Sequence, residues 1–233
     1  MRINPIQQNQ NYGKNNFKGN VSSGVTQLLG RCAKNEAKNY VANLEKGVSA
    51  NRYSLLDIQR SWSAILNRLN EKVSKMHPDI NMTVERSNNL DDELEESFDL
   101  CYENRTINTT LHSLPIRMPQ KVMSGVISSK EFDKYVEELE PKQIEKDMLD
   151  TAIKNYLRDL KKGDVSNLEN RALAICDYQS QLGHVTLEER MSNSLRMNIA
   201  SRATINERAE KERIETIEQD NSKLLDEIFG TDN

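Results

Sequence analysis

Residues 54–77 read SLLDIQRSWSAILNRLNEKVSKMH. Leu55, Ile58, Trp62, Ile65, Leu69, Val73 and Met76 recur at steps of mostly three and four, the period of one helix face. Ser54 stands where a hydroxyl caps a first turn, and Asp57 where a carboxylate favours a helix N-terminus. Pro78 stops the run and pushes His77 towards extended backbone. Such a helix is about 33 Å long, enough to cross a small domain, and it carries the only tryptophan of the chain. It is read as the centre of the core, and the flanking segments by how they cover it.

Upstream, Val25, Leu28, Leu29, Cys32, Ala37, Tyr40, Val41 and Leu44 form a second helical stripe over 24–46, with Ser22 or Ser23 as cap and Gly47 as stop. The short link between the stripes predicts an antiparallel hairpin. Downstream the period changes to two. Ile80, Met82 and Val84, then Phe98, Leu100 and Tyr102, then Ile107, Thr109 and Leu111 alternate with polar residues and predict three short strands. Asn104-Arg105 is placed at the turn between the second and third. One face of this meander needs a cover such as the Trp62 helix. The acidic run Asn88–Glu96 lacks the glycine and spacing of an EF-hand loop and is read as a solvated loop or short helix. Residues 114–126, with Pro115 and Pro119, are read as a linker.

From residue 128 the pattern is helical. Ser128 and Glu131 form a capping box, and Phe132, Tyr135, Val136 and Leu139 a short stripe. Pro141 suits the first turn of a helix that Gly163 ends. A further stripe runs from Val165 to Leu182. Thr186 with Glu189 opens a stretch that meets no Gly or Pro until Gly230, about 65 Å if helical throughout. It must project, break without a breaker, or pair with a partner. Leu187, Met191, Leu195 and Ile199 are expected to pack on the protein's own helices. Ile214, Ile217, Asn221, Leu224 and Ile228 make a local heptad, with Asn221 at a position where a buried Asn fixes register. Two readings stay open for this seam: a coiled coil, or a solvated helix docking its apolar edge on its own domain. Glu218, Asp220 and Glu227 flank it and would repel in a parallel homodimer.

Residues 1–23, MRINPIQQNQNYGKNNFKGNVSS, are Asn/Gln-rich and carry too few apolar side chains to fold alone, so a disordered leader is expected. Ile3, Asn4, Ile6, Asn15, Phe17 and Gly19 form a pattern, Ile-Asn-x-Ile followed by Asn-x-Phe-x-Gly. It resembles the N-termini of uncharacterised proteins from uncultured, melainabacterial-type gut bacteria. The resemblance covers under a tenth of the chain and implies a shared targeting or export tag, with no activity attached. An Asn-rich flexible end is the alternative.

The fold class expected is α+β, predominantly helical. The leader (1–23) precedes a helical hairpin plus β-meander (24–126) and a helical region ending in a long amphipathic helix (127–233). Composition agrees: hydrophobic residues are 36% of 233, against ~45–50% for average domains, which suits one modest core with long solvated helices. A net charge of −4 and a pI near 5.6 offer no long-range attraction to nucleic acid or an anionic membrane. No run of 18 apolar residues and no apolar leader is seen, so neither a membrane span nor a secretory signal is expected.

Phosphate-loop, dinucleotide, HExxH and GxSxG patterns are absent. Cys32, Cys101 and Cys176 are far apart and odd in number, read as reduced core thiols rather than a disulfide or zinc framework. His77, His112 and His184 have no Cys, His or carboxylate at ligand spacing. His77 and His184 are read at helix C-termini. The best catalytic arrangement is Cys101 as nucleophile with His112 as base, on adjacent strands but with no third group. Lys142, Lys146, Lys154, Arg158, Lys161 and Lys162 share a helix with Glu140, Glu145, Asp147, Asp150 and Asp159, a mixed solvated face rather than a nucleic-acid surface. No catalytic, cofactor or metal residue is assigned. The expected function is a cytoplasmic protein-interaction module, an adaptor, chaperone, assembly component or leaderless exported effector. Its partner protein would be bound by Ile214, Ile217, Asn221, Leu224 and Ile228. The alternative is a hydrolase or transferase with a site near the meander.

Overall fold

A computed structural model describes residues 19–47, 54–86, 95–112, 116–119, 129–163 and 167–229. The chain divides into two units, 1–148 and 149–233. The division falls between Met148 and Leu149. The class is the expected one: the described residues form six helices and a small sheet, with a long C-terminal helix.

In the first unit, α1 (Ser23–Glu45) and α2 (Leu55–Val73) form the expected hairpin. Ser22 caps α1 by accepting the Val25 N–H, and Ser54 and Asp57 make a reciprocal capping box on α2. Gly47 follows α1 at φ +64°, the left-handed conformation that ends a helix without Cβ strain. Trp62 is 3% exposed. Its indole N–H donates to Glu36 of α1 at 2.5 Å. Its ring stands edge-on to Phe132 of α3 (Ser129–Glu138), with centroids 5.7 Å apart. The central stripe therefore joins three helices. Arg68 of α2 pairs with Asp133, and Lys72 donates to the carbonyls of Glu137 and Leu139, holding the C-terminal end of α3.

The sheet has the order β1 (Asn20–Val21), β2 (Ile80–Arg86), β3 (Glu95–Asn104), β4 (Thr109–His112), with β5 (Ile116–Pro119) also on β3. Strands β2, β3 and β4 are the expected antiparallel meander. Four details differ from the sequence reading. First, the reversal between β3 and β4 takes four residues, Arg105–Asn108. The Asn104 side chain accepts the Thr106 and Ile107 N–H groups, and Asn108 adopts φ +47°. Ile107 belongs to this turn and not to a strand. Second, part of the expected linker, Ile116–Pro119, pairs with β3, because Pro119 needs no ladder donor at the strand's end. Third, Glu95 and Glu96 of the acidic run start β3; residues 87–94 lie outside the described residues, as does Ser128 of the first capping box. Fourth, the end of the leader is ordered. Asn20 and Val21 pair in parallel with Asn81 and Met82. Gly19 is buried where a Cβ would overlap the Val73 carbonyl oxygen, so only glycine fits.

Strand alternation sorts the sheet into two faces. Ile80, Met82, Leu100 and Tyr102 are buried on one, and the Tyr102 hydroxyl meets that of Tyr135 on α3 at 2.7 Å. Asn81, Thr83, Glu85, Asp99, Cys101, Glu103 and His112 lie on the other. α2 ends at Val73, so His77 sits in the following turn and not on a helix end. Its N–H donates to Glu145 at 2.6 Å and its Nδ1 accepts the Asp79 N–H.

The second unit packs the C-terminal part of α4 (Pro141–Lys161), α5 (Leu168–Gln181) and the N-terminal part of α6 (Leu187–Phe229). Gly163, at φ +77°, follows α4. Ile153, Tyr156, Leu160, Ile175, Tyr178, Leu182 and Met197 are buried. Arg171 pairs with Asp159 at 2.8 Å and lies over the Tyr156 ring. No helix among the described residues is long and apolar enough to cross a membrane.

Candidate functional site

α6 is one unbroken helix of 43 residues, about 65 Å long. Thr186 and Glu189 form the reciprocal box that starts it. Its inward side is mostly polar. Gln179 of α5 donates to the Arg190 carbonyl and the Ser194 hydroxyl, and its amide oxygen accepts from Asn193. Cys176 meets Ser194, and Tyr156 meets Ser201 at 2.6 Å. Among the described side chains, Met197 is the one buried large apolar residue on this side.

The apolar series faces outward. Leu187, Met191, Leu195 and Ile199 are 60–65% exposed, which overturns the expectation that they pack on the protein's own helices. Hydrogen bonding to Gln179, Cys176 and Tyr156 sets the rotation of α6 and turns these four away. From Ile205 to Leu225 every residue is exposed, including Ile214, Ile217, Asn221 and Leu224 of the expected seam. The Ile228 side chain lies outside the described residues. At 100° per residue Leu195, Ile199, Ile217 and Leu224 fall within about 40° of one another, whereas Leu187 and Ile214 lie about 180° apart, so the shared face is carried by those four. Ala203, Asn206 and Glu210 fill that face between them. The distal seam was legible as a heptad. The proximal four were visible as residues, but their direction was not, because it follows from a polar network rather than from apolar period.

A second cluster lies on the polar face of the sheet. Cys101 and His112 are paired in register across β3 and β4, with Sγ 3.2 Å from Nδ1. Glu85 of β2 joins them, so that one ligand atom from each residue lies within 4.8 Å of the others. In the linear sequence no Cys or carboxylate stands at ligand spacing from a histidine. The partners come from three strands, at separations no linear motif records. Cys101 is buried, while Glu85 and His112 are exposed. Burial and the carboxylates of Glu85, Asp99 and Glu103 push the Cys101 thiol up to about 12. At neutral pH it is a thiol and a poor nucleophile, which weighs against the Cys–His catalytic arrangement.

No family model, curated protein or solved structure matches the chain.

Proposed function

We propose that the protein is a non-enzymatic interaction module whose α6 binds another protein, in the role of adaptor, chaperone or assembly component. The observation that carries this is the uncovered apolar face of α6. Leu187, Met191, Leu195, Ile199, Ile214, Ile217 and Leu224 are each about half or more exposed on a single helix. Large apolar side chains left uncovered in this number along one helix support an interaction site. The partner is a helix of a different protein with its own apolar seam and basic flanks, which complement Glu218, Asp220 and Glu227. Ile214, Ile217, Asn221, Leu224 and Ile228 form the distal half of the surface, and Leu187 to Ile199 extend it. The proposed setting is the cytoplasm, or, as the leader's resemblance suggests, leaderless export as an effector.

The test is capture from native lysate by purified wild-type chain and by the double variant Ile217→Ser/Leu224→Ser, with sedimentation of each alone. The expected result is a monomeric wild type that captures one dominant protein, and a variant that captures none while melting at the same temperature. Self-association through α6 would refute the hetero-complex, and equal capture by the variant would refute the site.

A second reading, a hydrolase or transferase at the meander, is favoured by the Cys101–His112 contact alone. The protonated state of the thiol stands against it.

A further inference from the structure

We infer that Glu85, Cys101 and His112 bind one divalent ion of the zinc class on the polar face of the sheet. Each residue comes from a different one of three adjacent strands, and each offers one donor atom, all within 4.8 Å of one another. Tetrahedral zinc, with bonds of about 2.3 Å to sulfur and 2.0–2.2 Å to nitrogen or oxygen, holds its ligand atoms roughly 3.3–3.7 Å apart. The Sγ–Nδ1 separation is already 3.2 Å. Side-chain rotation closes the rest, with no change in strand register.

The donor set selects the metal. Thiolate, imidazole and carboxylate together suit zinc, whereas magnesium and calcium take oxygen ligands alone. Three protein ligands leave a fourth position for water, the pattern of open zinc sites. Coordination replaces the thiol S–H bond by an S–metal bond, and the proton leaves to solvent. The exposed Glu85 and His112 leave a path in from solvent, with the buried Cys101 behind them.

A second, independent observation points to the same place. Among the described residues, Thr83 Oγ1 and Asp99 Oδ1 are buried with no hydrogen-bond partner. Thr83 is paired with Cys101 and Asp99 with Glu85 across β2 and β3, so both belong to the cluster's own rows. A buried carboxylate oxygen without a donor is costly. A cation beside it, or water bound to that cation, supplies what it lacks. The described side chains of this face include three carboxylates, Glu85, Asp99 and Glu103, which attract a cation, and the register with Ser97 places Arg117 on the same face farther along β3.

The experiment is a titration of chelator-treated full-length protein with Co²⁺, followed by competition with Zn²⁺. The expected result is saturation at one equivalent, a thiolate-to-cobalt charge-transfer band and displacement by zinc. Cys101→Ser abolishes the band, whereas Cys32→Ser and Cys176→Ser leave it unchanged. Glu85→Gln and His112→Gln each weaken zinc binding at least ~100-fold, as loss of a direct ligand should exceed the effect of losing an outer partner. The inference is overturned if wild type gives no charge-transfer band, if the band survives Cys101→Ser, or if both exposed-site variants bind zinc like wild type. Should Cys101→Ser fail to fold, the Glu85 and His112 variants decide by the same criterion.

Discussion

Replacing Trp62 by Ala tests the placement of the core. The side chain is 3% exposed, lies between α1 and α3, and stands 5.7 Å from the Phe132 ring. Truncating a fully buried Trp costs about 3–5 kcal/mol through lost transfer energy and the cavity left behind. The edge-on aromatic pair, worth about 0.5–1.5 kcal/mol beyond its area, places the loss in the upper part of that range. The hydrogen bond to Glu36 adds little, because that partly exposed carboxylate can be rehydrated. Against a total stability of about 5–15 kcal/mol, the change removes roughly a quarter or more. With a slope near 2 kcal/mol per molar, the urea midpoint should fall by on the order of 2 M. Trp62→Phe keeps a ring beside Phe132 but leaves part of the indole's space empty, so it should cost about 1–2 kcal/mol. The assay is urea unfolding followed by far-UV circular dichroism. Trp62 is the only tryptophan, so wild-type fluorescence identifies the transition of the first unit. A loss below about 1 kcal/mol for Trp62→Ala would show that the core lies elsewhere.

Gly19→Ala should destabilise the first unit by about 1–3 kcal/mol, since its Cβ meets the Val73 carbonyl and not a movable side chain; thermal melting checks it. Deleting residues 1–18 should leave the melting temperature unchanged, whereas deletion through Ser22 removes β1 and the α1 cap and should lower it. Asn108→Gly should be tolerated and Asn108→Val should cost about 1–3 kcal/mol, because φ is +47° there. In chelator-treated protein, alkylation of Cys101 at pH 8 should be far slower than that of a model thiol, because its thiol is raised from 9.0 to about 12. The folded state holds that proton more tightly than the unfolded chain, so stability is full below pH ~9 and falls as pH rises towards 12; urea midpoints across that window check the sign.

Much of the fold was legible because local signals agreed. The 54–77 stripe, its Ser54 cap and the stops at Gly47 and Gly163 all name elements that form. What escaped the sequence depends on distant partners. Nothing in Asn20-Val21 announces a parallel pairing with β2, which requires Gly19 to fit against the end of α2. Ile116–Pro119 looked like a linker because its prolines hide an edge pairing that needs few donors. The parity of Cys101 and His112 could not be counted without the length of the Arg105–Asn108 turn, and Glu85 reaches them only through the β2–β3 register. On α6 the heptad was visible, but the outward turn of Leu187 to Ile199 was not, since a polar network led by Gln179 fixes it.

The central claim is that the apolar face of α6 is uncovered in the protein by itself and covered by a partner. Amide hydrogen exchange along α6, in the purified chain and in the complex captured from lysate, tests it most directly. The prediction is fast exchange over 205–225 in the isolated chain, slow exchange there in the complex, and no change in α2 or β3. Exchange over 205–225 that is already as slow as in α5 in the isolated chain, or that stays fast in the complex, would contradict the account.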